Sequence, residues 1–146
     1  MKVRALMTTE PVTVAPGATL GEVATLMKQQ DCGAIPVVEG GRLVGIVTDR
    51  DIVIRGVAAG TDPKTQRVST VMSADPVTVG PDDDVSDAEQ VMADRQIRRL
   101  PVVEGGRLVG IIVTAQIARA EDKRKVGETI KEISEPTSGR GSHARG

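Results

Sequence analysis

Residues Pro36–Asp51 read PVVEGGRLVGIVTDRD, and the first eleven of them return unchanged at Pro101–Ile111 before the copy breaks into IVTAQ. Each copy sets two apolar, β-rich runs around Glu-Gly-Gly-Arg. A glycine pair between such runs favours a tight hairpin, because both positions accept positive φ. The duplication reaches further. Met7, Pro11, Val12, Thr13, Val14 and Pro16 recur 65 positions later as Met72, Pro76, Val77, Thr78, Val79 and Pro81, and Met27 recurs as Met92. No gap is needed between Met7 and Ile46, so the chain reads as two copies of one unit.

Each unit opens on PVTV, a β-branched run between turn residues that predicts a strand. A helix follows. In the first copy Thr19-Leu-Gly-Glu22 has capping-box spacing, and Leu20, Val23, Leu26 and Met27 form an apolar stripe of helical period. In the second, Asp84 takes the capping place ahead of Val85, Ala88, Val91 and Met92. The hairpin comes next, and a second helix begins at Thr48 in one copy and near Thr114 in the other. The unit is therefore strand, helix, strand, strand, helix, which makes an α/β (α+β) fold. Gly, Pro and polar residues from about Gly60 to Arg67 read as a linker, dividing repeat 1 (1–64) from repeat 2 (65–125). In 126–146, VGETIKEIS adds a short helical turn and PTSGRGSHARG reads as a disordered tail.

Composition narrows the function classes. At 146 residues and 15.3 kDa the chain fits one domain or two halves sharing a core. Nineteen Lys and Arg against 20 Asp and Glu leave a net charge of −1, with no excess directed at nucleic acid or an acidic membrane. No apolar run approaches the roughly 20 residues of a membrane span, and the start MKVRALMTTEP lacks a secretory apolar stretch, so the expected compartment is the cytoplasm. Phe, Trp and Tyr are absent, which removes the rings on which single-stranded nucleic acids stack. Cys32 is the one cysteine and His143 the one histidine, so neither a Cys-pair metal site nor a multi-His centre can form within the chain.

With GAIPVVEGGRLVGIVTDRDI and its partner in tandem, the chain resembles a cystathionine β-synthase (CBS) domain pair, or Bateman module, from Val3 to about Ala120. The resemblance implies two units packed through their sheets as a pseudo-two-fold pair, two clefts between them, and modules pairing into a disc-like homodimer. It further implies a sensor or regulator that binds AMP, ADP, ATP or S-adenosylmethionine. The type most similar is the stand-alone bacterial one that includes hypoxia-response CBS proteins.

The family's Gly-hydrophobic-x-Thr/Ser-x-x-Asp segment, which holds ribose and phosphate, falls on Gly45, Ile46, Thr48 and Asp51. Asp51 is an acceptor suited to vicinal hydroxyls, Thr48 and the free N–H groups of a helix start can face phosphate, and Arg50 adds a cation. Thr48-x-x-Asp51 is also the spacing of a capping box, and the two roles compete for the same carboxylate. The resemblance adds Gly33, Ala34 and Ile35 to the cleft, with Val68 and Ile97 from the start of the second copy. Arg98 is the expected phosphate partner; in a strand, Arg98 and Arg99 would point to opposite faces, so only one would enter. The second copy puts Val113 and Gln116 at the Thr48 and Asp51 positions without a gap, or Ile117 at the latter with one inserted residue. No carboxylate results, which predicts one competent cleft and one degenerate cleft.

Other features have quieter readings. Cys32 is a buried small hydrophobe or, less simply, a redox thiol. Asp82-Asp83-Asp84 precede a helix, where carboxylates favour the positive dipole end, although such a run can also attract a cation. No catalytic residue and no metal site is assigned, so the chain reads as a non-enzyme. Two functions remain: an adenosine-ligand sensor acting on an unidentified regulated protein, and a ligand-free dimerisation or protein-interaction module.

Overall fold

A computed structural model describes the backbone of residues 1–134 and the side chains of 1–127. Helix α1 (Val3–Leu6) leads to α2 (Leu20–Gln30), the hairpin β1 (Ala34–Glu39) and β2 (Arg42–Thr48), and α3 (Asp49–Asp51), which continues as a π-helical turn over Ile52–Val57. A 3₁₀ turn at Val68–Thr70 and the two-residue β3 (Ser73–Ala74) introduce the second copy. It contains α4 (Val85–Arg95), the hairpin β4 (Arg99–Glu104) and β5 (Arg107–Val113), and α5 (Thr114–Ser134). The expected tail PTSGRGSHARG over 136–146, with His143, lies outside the described residues.

The glycine pairs make the predicted turns, with φ of +59° and +82° at Gly40 and Gly41 and +61° and +82° at Gly105 and Gly106. The two hairpins then meet at these same turns. Arg42 pairs with Arg107, the Leu43 N–H donates to Gly106 O at 3.2 Å, and the Leu108 N–H donates to Gly41 O at 3.1 Å. Contacts that exchange partners in this way mark an approximate two-fold axis. The sheet order is β1-β2-β5-β4, with β3 beside β2.

PVTV forms the opening strand only as one rung in each copy, Val14 beside Val37 and Val79 beside Val102. The Val14 N–H donates to Pro36 O and the Val38 N–H to Val14 O. The next parallel rung would need an N–H from Pro36, or from Pro101 in the second copy, and proline has none.

Thr19 caps α2 with a complete capping box: Thr19 Oγ1 accepts from the Glu22 N–H at 3.2 Å, and Glu22 Oε1 accepts from the Thr19 N–H at 3.2 Å. Asp84 stands at the N-cap of α4, but its side chain makes no cap hydrogen bond. It faces the Met1 ammonium at 3.5 Å instead, while Asp82 pairs with Arg4 at 2.9 Å and Asp83 accepts from the Gly80 N–H at 2.8 Å. The acidic run thus anchors the N-terminal segment and its own turn. Helix α5 runs unbroken from Thr114 to Ser134, through the expected change at 125 and past the short turn predicted there.

The packing units cross the expected 64/65 boundary. Val3 is fully buried in the core of the second copy with Val79, Leu100 and Ile112, whereas Val68 and Val71 are buried in the core of the first with Leu20, Val37 and Val47. Each copy's lead-in segment therefore completes the other copy. Thr8 pairs with Ile111 on β5, and Ser73 and Ala74 pair with Ile46 and Gly45 on β2. The glycine inside each copied LVGI run explains how. A Cβ on Gly45 would lie 2.6 Å from Met72 Sδ and 2.9 Å from Ser73 O, and one on Gly110 would lie 2.8 Å from both Met7 Sδ and Thr8 O.

Gly45→Ala and Gly110→Ala should each lower the unfolding free energy by about 1–3 kcal/mol, the cost of overpacking, read by urea denaturation. Gly127→Ala is the control. It lies in α5 with open space around it, so it should be neutral or stabilise by about 0.4–1 kcal/mol.

Candidate ligand cleft

At the end of β2 the chain leaves an extended Thr48 (φ −114°, ψ 163°) and turns into α3. The Asp51 N–H donates to Thr48 Oγ1 at 3.1 Å, and the Thr48 N–H donates to Asp51 Oδ2 at 2.9 Å. The capping box is complete. Capping engages only Oδ2, and among the described residues no donor is recorded on Asp51 Oδ1. A carboxylate has acceptor capacity on both oxygens, so the cap leaves that of Oδ1 unused among the described residues.

Beside this helix start lies a cleft of about 700 Å³, within the range of small-molecule sites. Its repeat 1 wall is Gly33, Ala34, Ile46, Thr48 and Asp49, followed by Ser73, Ala74 and Asp75 at the entry to the second copy. The second copy adds Pro76, Val77, Arg95, Ile97, Arg98, Arg99 and Pro101. Gly33 allows Asp49 to approach: a Cβ there would sit 3.1 Å from Asp49 Oδ2.

Of the expected site residues, Gly33, Ala34, Ile46, Thr48, Ile97 and Arg98 come together in this lining, and Ile35, Arg50, Asp51 and Val68 do not. Ile35 and Val68 are fully buried in the repeat 1 core. Val68 belongs there because of the lead-in exchange, and residues 73–77 supply the second copy's contribution instead. Arg50 is exposed on the helix start, and Asp51 is half-buried and bonded to Thr48 in the cap.

Arg98 and Arg99 both line the cleft, contrary to the expectation that only one would enter. The alternation argument requires both residues to lie in a strand, and Arg98 is in a bend just before β4. Asp49, Ser73, Asp75 and Arg95 were not anticipated. The repeat offset carries a signal for Ser73, since Thr8 stands 65 positions earlier and makes the equivalent strand contact.

The second copy resolves the alignment without an insertion. Val113 pairs with Arg99 as Thr48 pairs with Ala34, and Gln116 is the residue that reaches back. Gln116 Oε1 accepts from the Val113 N–H at 3.0 Å, replacing the carboxylate cap, and its Nε2 donates to Thr8 Oγ1 at 2.6 Å. Both ends of the amide are thus used within the protein, one on each copy.

Cys32 is half-buried and packs against the repeat 1 core. Among the described residues, no group of three or more His, Cys, Asp or Glu is arranged to hold a metal ion. None of their helices is long and apolar enough to cross a membrane.

The CBS domain family matches residues 3–56 and 68–123. The CBS domain-containing protein YhcV of Bacillus subtilis is 50% identical over 133 residues, covering 90% of this chain and 94% of YhcV. Among solved structures, Hypoxic Response Protein I with two coordinated zinc ions aligns with TM-score 0.76 and 38% identity over 82% of this chain and 98% of its own. CBSX2 in complex with AMP aligns with TM-score 0.75 and 25% identity over 85% and 98%. The CBS domain pair of protein MJ0100, in complex with 5′-methylthioadenosine and S-adenosyl-L-methionine, aligns with TM-score 0.73 and 25% identity over 86% and 98%.

Thr48→Ala and Asp51→Ala should each cost about 0.5–2 kcal/mol of stability, because either change dismantles the cap. Their effects should be less than additive in a double-mutant cycle followed by denaturant unfolding, since both remove the same box.

Proposed function

Because the chain belongs to the CBS domain family, we propose that it is a regulatory, non-catalytic sensor of an adenosine nucleotide, with its working site in the cleft beside Thr48. The observation that carries this reading is the cleft itself: about 700 Å³, lined by a hydroxyl and backbone at a helix start and by three arginines. Two structural relatives of the chain hold AMP or S-adenosyl-L-methionine with 5′-methylthioadenosine.

In this reading the base lies against aliphatic Ile46, Val77 and Ile97, since no aromatic ring is present. Ribose hydroxyls take the open Oδ1 of Asp51 after a small displacement of Thr48, and phosphate faces Arg98. A ligand that touches both copies favours the arrangement in which they grip it and shifts the equilibrium by its differential affinity. The second cleft is degenerate because Gln116 offers no carboxylate and is already bonded to Thr8.

A second reading draws on Val53, Ile54 and Val57, which are 53%, 52% and 61% exposed on the turn that follows Asp51. Clustered exposed aliphatics mark a contact surface. They fit a homodimer or a regulated protein partner, and a module acting by such contacts needs no ligand.

Titration separates the two. A protein without Trp, Tyr or Phe absorbs little at 280 nm, so co-purified nucleotide should appear as a band near 260 nm. AMP, ADP, ATP or S-adenosylmethionine should raise the apparent stability by about 2.7 kcal/mol at a hundredfold excess over Kd. No stabilisation by any of them would leave the interaction module as the function. Asp51→Ala should abolish adenosine binding, and unchanged affinity would remove Asp51 from the site. Val113→Thr with Gln116→Asp should raise the calorimetric stoichiometry from one ligand to two; a value fixed at one would reject these two substitutions as the cause of the lost site.

A further inference from the structure

The cleft is lined by charged residues of both signs. Asp49 follows β2 and Asp75 follows β3, which pairs with β2, whereas Arg95 closes α4 and Arg98 and Arg99 stand at the entry to β4 on the far edge of the sheet. Asp49 and Asp75 thus share the lining with Arg95, Arg98 and Arg99, yet among the described residues no ion pair joins the two carboxylates to the three guanidinium groups. Among the described residues, ion pairs use only the Met1 ammonium and Arg4 as cations. Guanidinium hydrogen bonds come from Arg4, Arg42, Arg55 and Arg67. Arg95, Arg98 and Arg99 thus line one space, and among the described residues no protein anion is bound to any of them.

Three like charges sharing a cleft repel one another, and an anion that spans them relieves this. We propose that the cleft selects adenosine di- and triphosphates over AMP and over S-adenosylmethionine. Guanidinium forks match phosphate oxygens bidentately, and one phosphate cannot engage three forks at full geometry, whereas a chain of two or three phosphates presents a separate group to each. S-Adenosylmethionine instead brings a sulfonium and an ammonium toward the same arginines. The nucleoside half of this proposal rests on the adenosine-sensor reading; the preference for a polyphosphate chain rests on the arginines alone.

The test is calorimetric titration of the full chain without divalent cations, using ATP, ADP, AMP, S-adenosylmethionine, adenosine and inorganic tripolyphosphate. Wild type is compared with Arg95→Ala, Arg98→Ala, Arg99→Ala and the triple variant. Arg95 and Arg98 are exposed and Arg99 is half-buried, and an unchanged unfolding midpoint without ligand verifies that each variant folds. ATP and ADP should bind at least about tenfold more tightly than AMP, and AMP more tightly than S-adenosylmethionine. Each substitution should reduce the ATP-to-AMP ratio while leaving adenosine affinity unchanged, and added salt should weaken ATP more than adenosine.

AMP or S-adenosylmethionine binding as tightly as ATP, or a triple variant that keeps the wild-type ATP-to-AMP ratio, would overturn the proposal. Tripolyphosphate distinguishes the two levels of failure. If it binds wild type and not the triple variant while no adenosine compound binds, the adenosine reading falls and the polyphosphate preference stands. If AMP and ATP bind equally and tripolyphosphate does not bind, the sensor reading stands and the preference falls.

Discussion

The two copies are held together by an exchange of lead-in segments, and that exchange depends on two glycines. Met7 and Met72 each lay a thioether where a Cβ on Gly110 or Gly45 would stand, and the following backbone pairs with the strand. As a result Val3 fills the second core and Val68 and Val71 fill the first. Neither copy has a complete core without a segment from the other. The hairpin turns add a second contact at Arg42 and Arg107, so the halves are joined both through their cores and at their turns.

The same exchange creates the cleft. Ser73 and Asp75 reach the wall beside Thr48 because β3 pairs with β2, and the chain then runs through Val77 toward its own sheet edge. A ligand there touches the end of one copy and the beginning of the other. In the second copy the corresponding approach is made by Thr8, which already receives a hydrogen bond from Gln116. Equal scaffolds therefore end in unequal chemistry: a carboxylate cap in one copy, an amide committed at both ends in the other.

Much of this is legible in the sequence. The Gly-Gly turns, the capping boxes at Thr19 and Thr48, the apolar stripe of α2 and the loss of a carboxylate at Gln116 follow from local chemistry, and local chemistry is written in consecutive residues. PVTV misled in part because its single rung is limited by proline on a neighbouring strand. Asp84 has the right residue type for a cap, yet its side chain makes no cap hydrogen bond and lies 3.5 Å from the Met1 ammonium. Arg99 was discounted by strand alternation, which does not extend to a preceding residue held in a bend.

The sequence by itself determined the duplicated unit, its hairpins and the difference between TDRD and VTAQ, because periodicity, turn residues and acceptor chemistry act over a few positions. Only the tertiary structure decided which copy each lead-in segment completes, that Val68 is core while Asp75 lines the cleft, and that three arginines face one space. Those outcomes depend on close approach between residues far apart in the chain. At Gly45 and Gly110 that approach is possible only where a side chain is missing.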